Sequence, residues 1–302
     1  DHLLVTAAAE SGAEVREGFT VDDLLVSDDA VVGIRGHSKD MTGIEERARI
    51  VIGADGVNSY VADAVRAPTY DVRPVAVCAY YSYFSGIEQD DIELYVRDHL
   101  AFGGAPTNDG LHLVMVNWPA SDFPTIRADI EGHVRRALEA ASSFGARVGA
   151  GHREEKWYGT AGVPGYFRKP YGNGWVLVGD ASYNRDPITA QGISDAFIDA
   201  EMMTDALTTW LSGNGAFEDL LVAHESARND RVRPMYEFTT QLAALEPPPP
   251  EMRALFEALR GNQEATNAFL SAITGAIPLT DFLSPDNVSR IMAAAHGVQV
   301  RR

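Results

Sequence analysis

The sequence has one cysteine, no long apolar run and few basic residues, and each shortage excludes something. Cys78 cannot form an internal disulfide, so no disulfide framework holds this fold and nothing points to secretion. It lies in VAVCAYYSYF, a strand pattern, where it reads as a small apolar core residue. No apolar stretch reaches the roughly 20 residues that span a bilayer. No basic segment followed by an apolar one marks a signal peptide, so cytoplasmic placement is the expectation. Lys and Arg number 25 against 43 Asp and Glu, a net charge of −18. Such a surface repels nucleic acid and anionic membrane. His99, His112, His133 and His152 have no metal-ligand spacing. There is no Gly-x-Ser-x-Gly elbow, no P-loop and no G-x-G-x-x-G. The glycine-rich FGGAPTNDG has no helix pattern behind it and is rejected as a phosphate loop.

The chain has 302 residues, 45% hydrophobic and 23% charged, ordinary for a globular protein with two closely joined lobes. It opens inside a helix pattern, Leu3 to Ser11, without an initiator methionine, as if entering a larger fold partway. AEVREGFTVDDLLVSDDAVVGIRG reads as short strands joined by SDD, and ARIVIGADG as an apolar strand covered on both faces. VAVCAYYSYFSG, IELYVRDHLAFGGAPTN and LHLVMVNWP read as three antiparallel strands rich in aromatic residues. A helix is expected over about Arg127 to Phe144. From Gln191 onward the chain reads as helical, broken by the proline run in EPPPPE. The fold class is α/β, or α+β: a Rossmann-like lobe lacking its N-terminal part, an antiparallel-sheet substrate lobe and C-terminal helices. The boundaries are 1–70, 71–170, 171–215 and 216–302.

Two strand-to-turn junctions carry the chemistry. In IVIGADGVNS a strand runs into Asp55-Gly56, with Ser59 three residues on. In WVLVGDASYNRDPITAQGISDAF a strand runs into Gly179-Asp180, then Pro187, then Gln191-Gly192 opening a helix. Ligands bind at such strand ends in α/β sheets. An aspartate there accepts hydrogen bonds from ligand hydroxyls, and glycine lets backbone approach a ligand. A glycine-led helix start turns free N–H groups and a positive dipole end toward developing negative charge. These are the parts of a flavin seat. Along the helix, Ile193, Ala196, Phe197, Ala200, Met203, Thr204 and Leu207 read as the packed face. Asp195, Asp199, Glu201 and Asp205 read as solvated.

The two motifs together resemble those of the class A FAD-dependent aromatic hydroxylases, the flavoprotein monooxygenases with the p-hydroxybenzoate hydroxylase fold. Within them the chain looks closest to a bacterial subgroup of FAD-dependent oxidoreductases. The resemblance implies that Asp180, with Gly179, holds the ribityl hydroxyls of FAD, and that Pro187 lies against the flavin ring. It places Gln191, Gly192, Ile193 and Ser194 at the flavin pyrimidine and Asp55 and Gly56 near the pyrophosphate and NAD(P)H. Val21, in the strand GFTV, falls near adenine. The chain departs from the family in lacking its opening G-x-G-x-x-G segment. Ala62 stands where the family carries an arginine, Tyr183 where it often has histidine, and Ser194 where it often has asparagine. The missing segment predicts poor FAD binding by this stretch alone.

The implied activity is that of an enzyme: NAD(P)H-consuming monooxygenation of an aromatic or polyketide-like small molecule by O2, through a flavin C4a-hydroperoxide. NADPH or NADH is the reductant. Tyr80, Tyr81, Tyr83, Phe84, Phe102, His112 and Trp118 are substrate-side candidates, with Tyr81, Tyr83, Phe102 and His112 foremost. Alternate strand residues face opposite sides, so about half of them belong to plain core or surface. No metal, nucleic acid or membrane partner is expected, and the state is monomer or homodimer. The alternatives are a halogenase, an isoprenoid reductase, or a truncated binding domain without catalysis. The W-x-W-x-I-P segment of halogenases is absent from WYGTAGVP (Trp157 to Pro164).

Overall fold

The computed structural model describes residues 2–88 and 90–299. They divide into two compact units. The first comprises Asp1–Tyr70, Phe167–Tyr183 and Ala196–Glu225; the second comprises Asp71–Tyr166, Asn184–Asp195 and Ser226–Arg302.

In the first unit, strands Thr20–Ser27, Ala30–Ser38 and Met41–Arg47 form an antiparallel meander. Asp28 and Asp29 turn the first hairpin, both at positive φ (48° and 62°), as a two-residue hairpin turn of right-handed twist requires. A second sheet sets Trp175–Leu177 between Tyr171–Gly172 and Val51–Gly53. Trp175–Leu177 and Val51–Gly53 run parallel, Trp175 opposite Val51 and Leu177 opposite Gly53. The Asp-Gly and Gly-Asp turns thus leave the same ends of two neighbouring parallel strands.

Trp175–Leu177 serves two cores by alternation. Trp175 and Leu177 pack with Leu24, Val31, Val51, Val61 and Ala181. Val176 packs with Tyr171, Met203, Leu207 and Leu221. The partner strand is covered on one face only: Val51 is buried, whereas Ile52 is 49% exposed, contrary to the two-sided burial expected from its sequence. Gly53 has no substitute there, because a Cβ would lie 2.7 Å from Leu177 Cδ2 and 2.8 Å from Val61 Cβ.

The second unit is built on an antiparallel sheet in the order His152–Arg153, Val77–Ser85, His112–Pro119, Leu100–Pro106, Glu93–Arg97. Tyr158–Thr160 also pairs with Val77–Ser85. Three strands were expected between Val75 and Trp118; there are four, because Asp98-His99 folds one segment into a tight hairpin, with His99 at φ 53°. One face packs on helices Phe123–Ala128, Ile130–Glu139 and Ser142–Ala150. The single helix expected there is broken at Asp129, whose carboxylate accepts from Gly132 N–H and restarts the helix. Phe102 and Phe144 are buried in this core, each contributing about 2–3 kcal/mol. The C-terminal helices share a core of Met235, Phe238, Leu255, Leu259, Phe282 and Ile291. Helix Phe217–Ala243 ends ahead of the proline run, with Leu245 at φ 51°, and the next helix begins on Pro250, where a missing N–H costs nothing. Among the described residues no helix is long and apolar enough to cross a membrane.

Candidate functional site

The Gly-Asp turn in the first unit is one turn of 3-10 helix, Gly179–Ala181. Gly179 adopts φ 59°, a left-handed conformation that suits glycine. A Cβ there would lie 3.3 Å from Ala196 Cβ, so the turn lies close against the helix Gly192–Leu211. Gly179 N–H donates to Asp199 Oδ2 at 2.8 Å, and Ser182 Oγ donates to the same oxygen at 2.9 Å. From the other side Arg168 Nη1 donates to Ala181 O at 2.8 Å. Asp180 sits between these anchors, half-buried.

The Asp-Gly turn is organised by its own aspartate. Asp55 Oδ1 accepts from Ser59 Oγ at 2.5 Å, and Oδ2 accepts from Val61 N–H at 3.0 Å. Ser59 Oγ in turn caps Ala62 N–H at 2.9 Å, starting the helix Tyr60–Ala64. Asp55 therefore spends both oxygens on the local turn, and Gly56, at φ 76° with nothing within 4 Å of a built Cβ, presents open backbone. Val21 lies half-buried in the strand Thr20–Ser27, beside a register shift opposite Gly36.

In the second unit the loop 184–195 sorts its residues into two sets. Asn184, Arg185, Asp186, Thr189 and Asp195 are buried. Asn184 Nδ2 donates to Pro164 O, Arg185 pairs with Asp195 at 2.5 Å, and Thr189 shares a hydrogen bond with Thr239 at 2.9 Å. Arg231 also reaches Asp195, at 3.2 Å. Gln191 Nε2 donates to Ile273 O. Pro187, Gly192, Ile193 and Ser194 are exposed, Ile193 at 77%. The anchored set fixes the backbone, and the other set faces outward at the start of a 20-residue helix. Nothing stands within 4 Å of a Cβ built on Gly192. In the first unit, a carboxylate on a braced turn suits ligand hydroxyls, which FAD carries. In the second unit, open backbone at a long helix start suits an anionic edge, which FAD also carries.

Asp186 has a distinct chemistry. Its Oδ1 accepts from Ile188 N–H at 3.0 Å, whereas Oδ2 is buried without a hydrogen bond. Burial pushes its carboxyl up to about 6; the N–H dipoles of Ile188 and Val77 pull the other way without cancelling this.

On the sheet of the second unit, register decides which substrate candidates face outward. Tyr80, Phe84, Phe102 and Trp118 point into the helix-covered core. Phe102 is 1% exposed and stacked on Tyr95, so it offers no surface to a substrate. His112, opposite Phe84, also falls on the covered side. Tyr81 and Tyr83 fall on the other face, joined by Tyr158 in an aromatic row: Tyr81 meets Tyr83 edge-on at 6.1 Å and stacks on Tyr158 at 5.4 Å. Across the strands the same face carries Leu113, Met115 and Asn117, then Ala101, Gly103 and Ala105, then Leu94 and Val96. None of these strand positions is charged, but Lys156 Nζ lies 5.3 Å over the Tyr158 ring and the Tyr158 hydroxyl donates to Glu155 Oε2 at 2.5 Å. Four residue steps by five strands make the face about 13 by 19 Å. Ile188, next to Pro187, packs on Val77 and Ala101 at one end, together with Ala243 and Leu245.

Sequence reading missed Asp186 and Asp199. The packed row of the helix is Asp195, Asp199, Met203 and Leu207, spaced by four, while Ile193 and Phe197 are exposed. For Asp199, a carboxylate continuing an apolar row at helical spacing was the available signal. Among the described residues no group of three or more His, Cys, Asp or Glu could hold a metal ion.

The fold and the two turns suit an FAD-binding protein. The model of the FAD binding domain family matches residues 1–239, and the chain belongs to that family. Digeranylgeranylglycerophospholipid reductase of Methanosarcina acetivorans is 31% identical over 233 residues, 74% of this chain and 55% of that protein. A second such reductase, from Methanopyrus kandleri, is 26% identical over 268 residues, 86% of this chain and 67% of that protein. The chain spans about half the length of the first of these relatives. Among solved structures, the myxobacterial FAD-dependent chondrochloren halogenase CndH matches with a TM-score of 0.72 at 20% identity, over 97% of this chain and 72% of that one. PqsL of Pseudomonas aeruginosa, in complex with 2-aminobenzoylacetate, matches at 0.60 and 24%, over 74% and 62%. These two share the fold.

Proposed function

We propose that the protein is an FAD-dependent, NAD(P)H-consuming monooxygenase whose substrate is an uncharged, mainly apolar aromatic or polyketide-like molecule. The observation that carries this reading is the sheet face whose strand positions are all uncharged, with its tyrosine row and with the Pro187 loop packed at one end. A face about 13 by 19 Å exceeds a single ring, and Lys156 over Tyr158 is the cation nearest its aromatic row. Tyrosine supplies large flat contact area at low entropic cost and keeps a hydroxyl for orientation.

When bound, FAD supplies the redox chemistry. Asp180 would hold its ribityl hydroxyls, Gly56 would offer backbone beside Asp55, and Gln191 to Ser194 would place helix N–H groups at its pyrimidine edge. Pro187 would limit the approach of the ring. Tyr81, Tyr83 and Met115 would hold the substrate and exclude water. Asp186 is the group of this loop able to exchange a proton near neutral pH.

A second reading is favoured by the two sequence relatives described above, which are isoprenoid-lipid reductases by name. A face of uncharged strand positions also suits an isoprenoid chain. One experiment separates the two. The protein is given NADPH or NADH, with and without O2, and either neutral polycyclic aromatics or isoprenoid alcohols. Monooxygenation predicts oxygen-dependent NAD(P)H consumption and a product heavier by one oxygen atom. A product heavier by two hydrogens, formed without O2, would establish the reductase. A preference for aromatic carboxylates would overturn the reading of the face.

A further inference from the structure

Asp180 is carried by a single 3-10 turn, which has no stability of its own because one turn fixes several dihedrals for few hydrogen bonds. Something outside the turn must set where its carboxylate points. In the first unit that role falls to the helix residue Asp199. One of its oxygens, Oδ2, receives both the Gly179 N–H, at 2.8 Å, and the Ser182 hydroxyl, at 2.9 Å. These two donors flank Asp180 in sequence. The turn is closed between them, since Ser182 N–H donates to Gly179 O at 2.8 Å.

Asp199 is 3% exposed, a depth at which a carboxylate is kept only with strong donors around it. Its other oxygen lies 3.2 Å from Nε2 of the buried His224. Serine, aspartate and histidine thus meet in that order, with the carboxylate in the middle. His224 cannot take the Ser182 proton in such an order, so the cluster is not an acyl-transfer triad. Its geometry serves to hold, with His224 behind the carboxylate and the turn in front.

We infer that Asp199 is the positioning residue for Asp180: it sets FAD affinity through the Gly-Asp turn without touching FAD. The inference rests on the reading of Asp180 as the flavin hydroxyl acceptor. Asp199 lies on a helix twenty residues beyond Gly179, so neighbouring sequence does not link the two.

The test is a double-mutant cycle read as FAD dissociation constants, measured by quenching of flavin fluorescence on the apoprotein of wild type, D180A, D199A and D180A/D199A. Leaving the half-buried Gly179 N–H unpaired should weaken FAD binding roughly tenfold to a hundredfold in D199A. If Asp199 acts through Asp180, the double variant binds FAD no more weakly than the weaker single variant, within about twofold. Losses that multiply would mean that Asp199 acts independently and would overturn the inference, as would wild-type affinity in D199A. D199N keeps one oxygen acceptor and should recover part of the affinity. Should D199A fail to fold by circular dichroism, S182A replaces it in the cycle and must show the same coupling to D180A. Wild-type affinity in D180A would instead refute the role of Asp180 itself, a different failure with its own signature.

Discussion

Replacing Asp186 by asparagine should stabilise the protein above pH 6 and leave it nearly unchanged near pH 4. The carboxyl is 8% exposed, one oxygen caps Ile188 N–H, and the other has no hydrogen bond. Burial therefore raises it from 3.8 to about 6. At about 1.36 kcal/mol per unit, that shift is on the order of 3 kcal/mol. The sign follows from proton binding. Between the two values the folded state holds a proton that the unfolded state has lost, so stability falls as pH rises through this window. Below it both states are protonated and nothing is lost; above it the whole cost stands. An asparagine side chain in this place would keep the cap oxygen and never ionise. The stability gap between variant and wild type should open between about pH 4 and 6 and stay constant to pH 8. At roughly 2–4 °C per kcal/mol for chains of 150–250 residues, a gap of several degrees in melting temperature is expected. The assay is a thermal melt of both proteins in buffers from pH 4 to 8. A gap that stays flat across the series, or that closes with rising pH, would refute the argument.

Two backbone predictions follow from left-handed residues. G179A places a side chain at φ 59° and 3.3 Å from Ala196, which should cost about 1–2 kcal/mol and weaken FAD binding by displacing the Gly-Asp turn; an unchanged urea midpoint and FAD affinity would count against that geometry. A190G should act oppositely. Ala190 is exposed at φ 53°, so glycine relieves about 1–2 kcal/mol of strain against an entropic cost of about 0.5–1 kcal/mol, a net gain checked by urea unfolding. A less stable A190G would show that the conformation is not strained.

What the sequence determined by itself is local and covalent. Glycine and aspartate at strand ends located both turns, because their backbone freedom and hydrogen-bonding chemistry are properties of the residues themselves. Asp28-Asp29 as a hairpin turn and the proline break before Pro250 were legible for the same reason. Period-two alternation told that the strand Val77–Ser85 has two faces. It could not tell which one is covered: Phe102 and Tyr81 are both aromatic strand residues, and only the helices Phe123–Ala128 to Ser142–Ala150, packed on one side, assign the first to core and the second to the open face. The helix Gly192–Leu211 makes the same point more sharply. Its apolar spacing suggested Ile193 and Phe197 as the packed row, yet the structure buries Asp195 and Asp199. Their partners are Arg185 and Arg231 for one, Gly179, Ser182 and His224 for the other. A buried carboxylate is tolerable only where donors meet it, and those donors come from distant parts of the chain, so tertiary structure alone decided which acids lie inside.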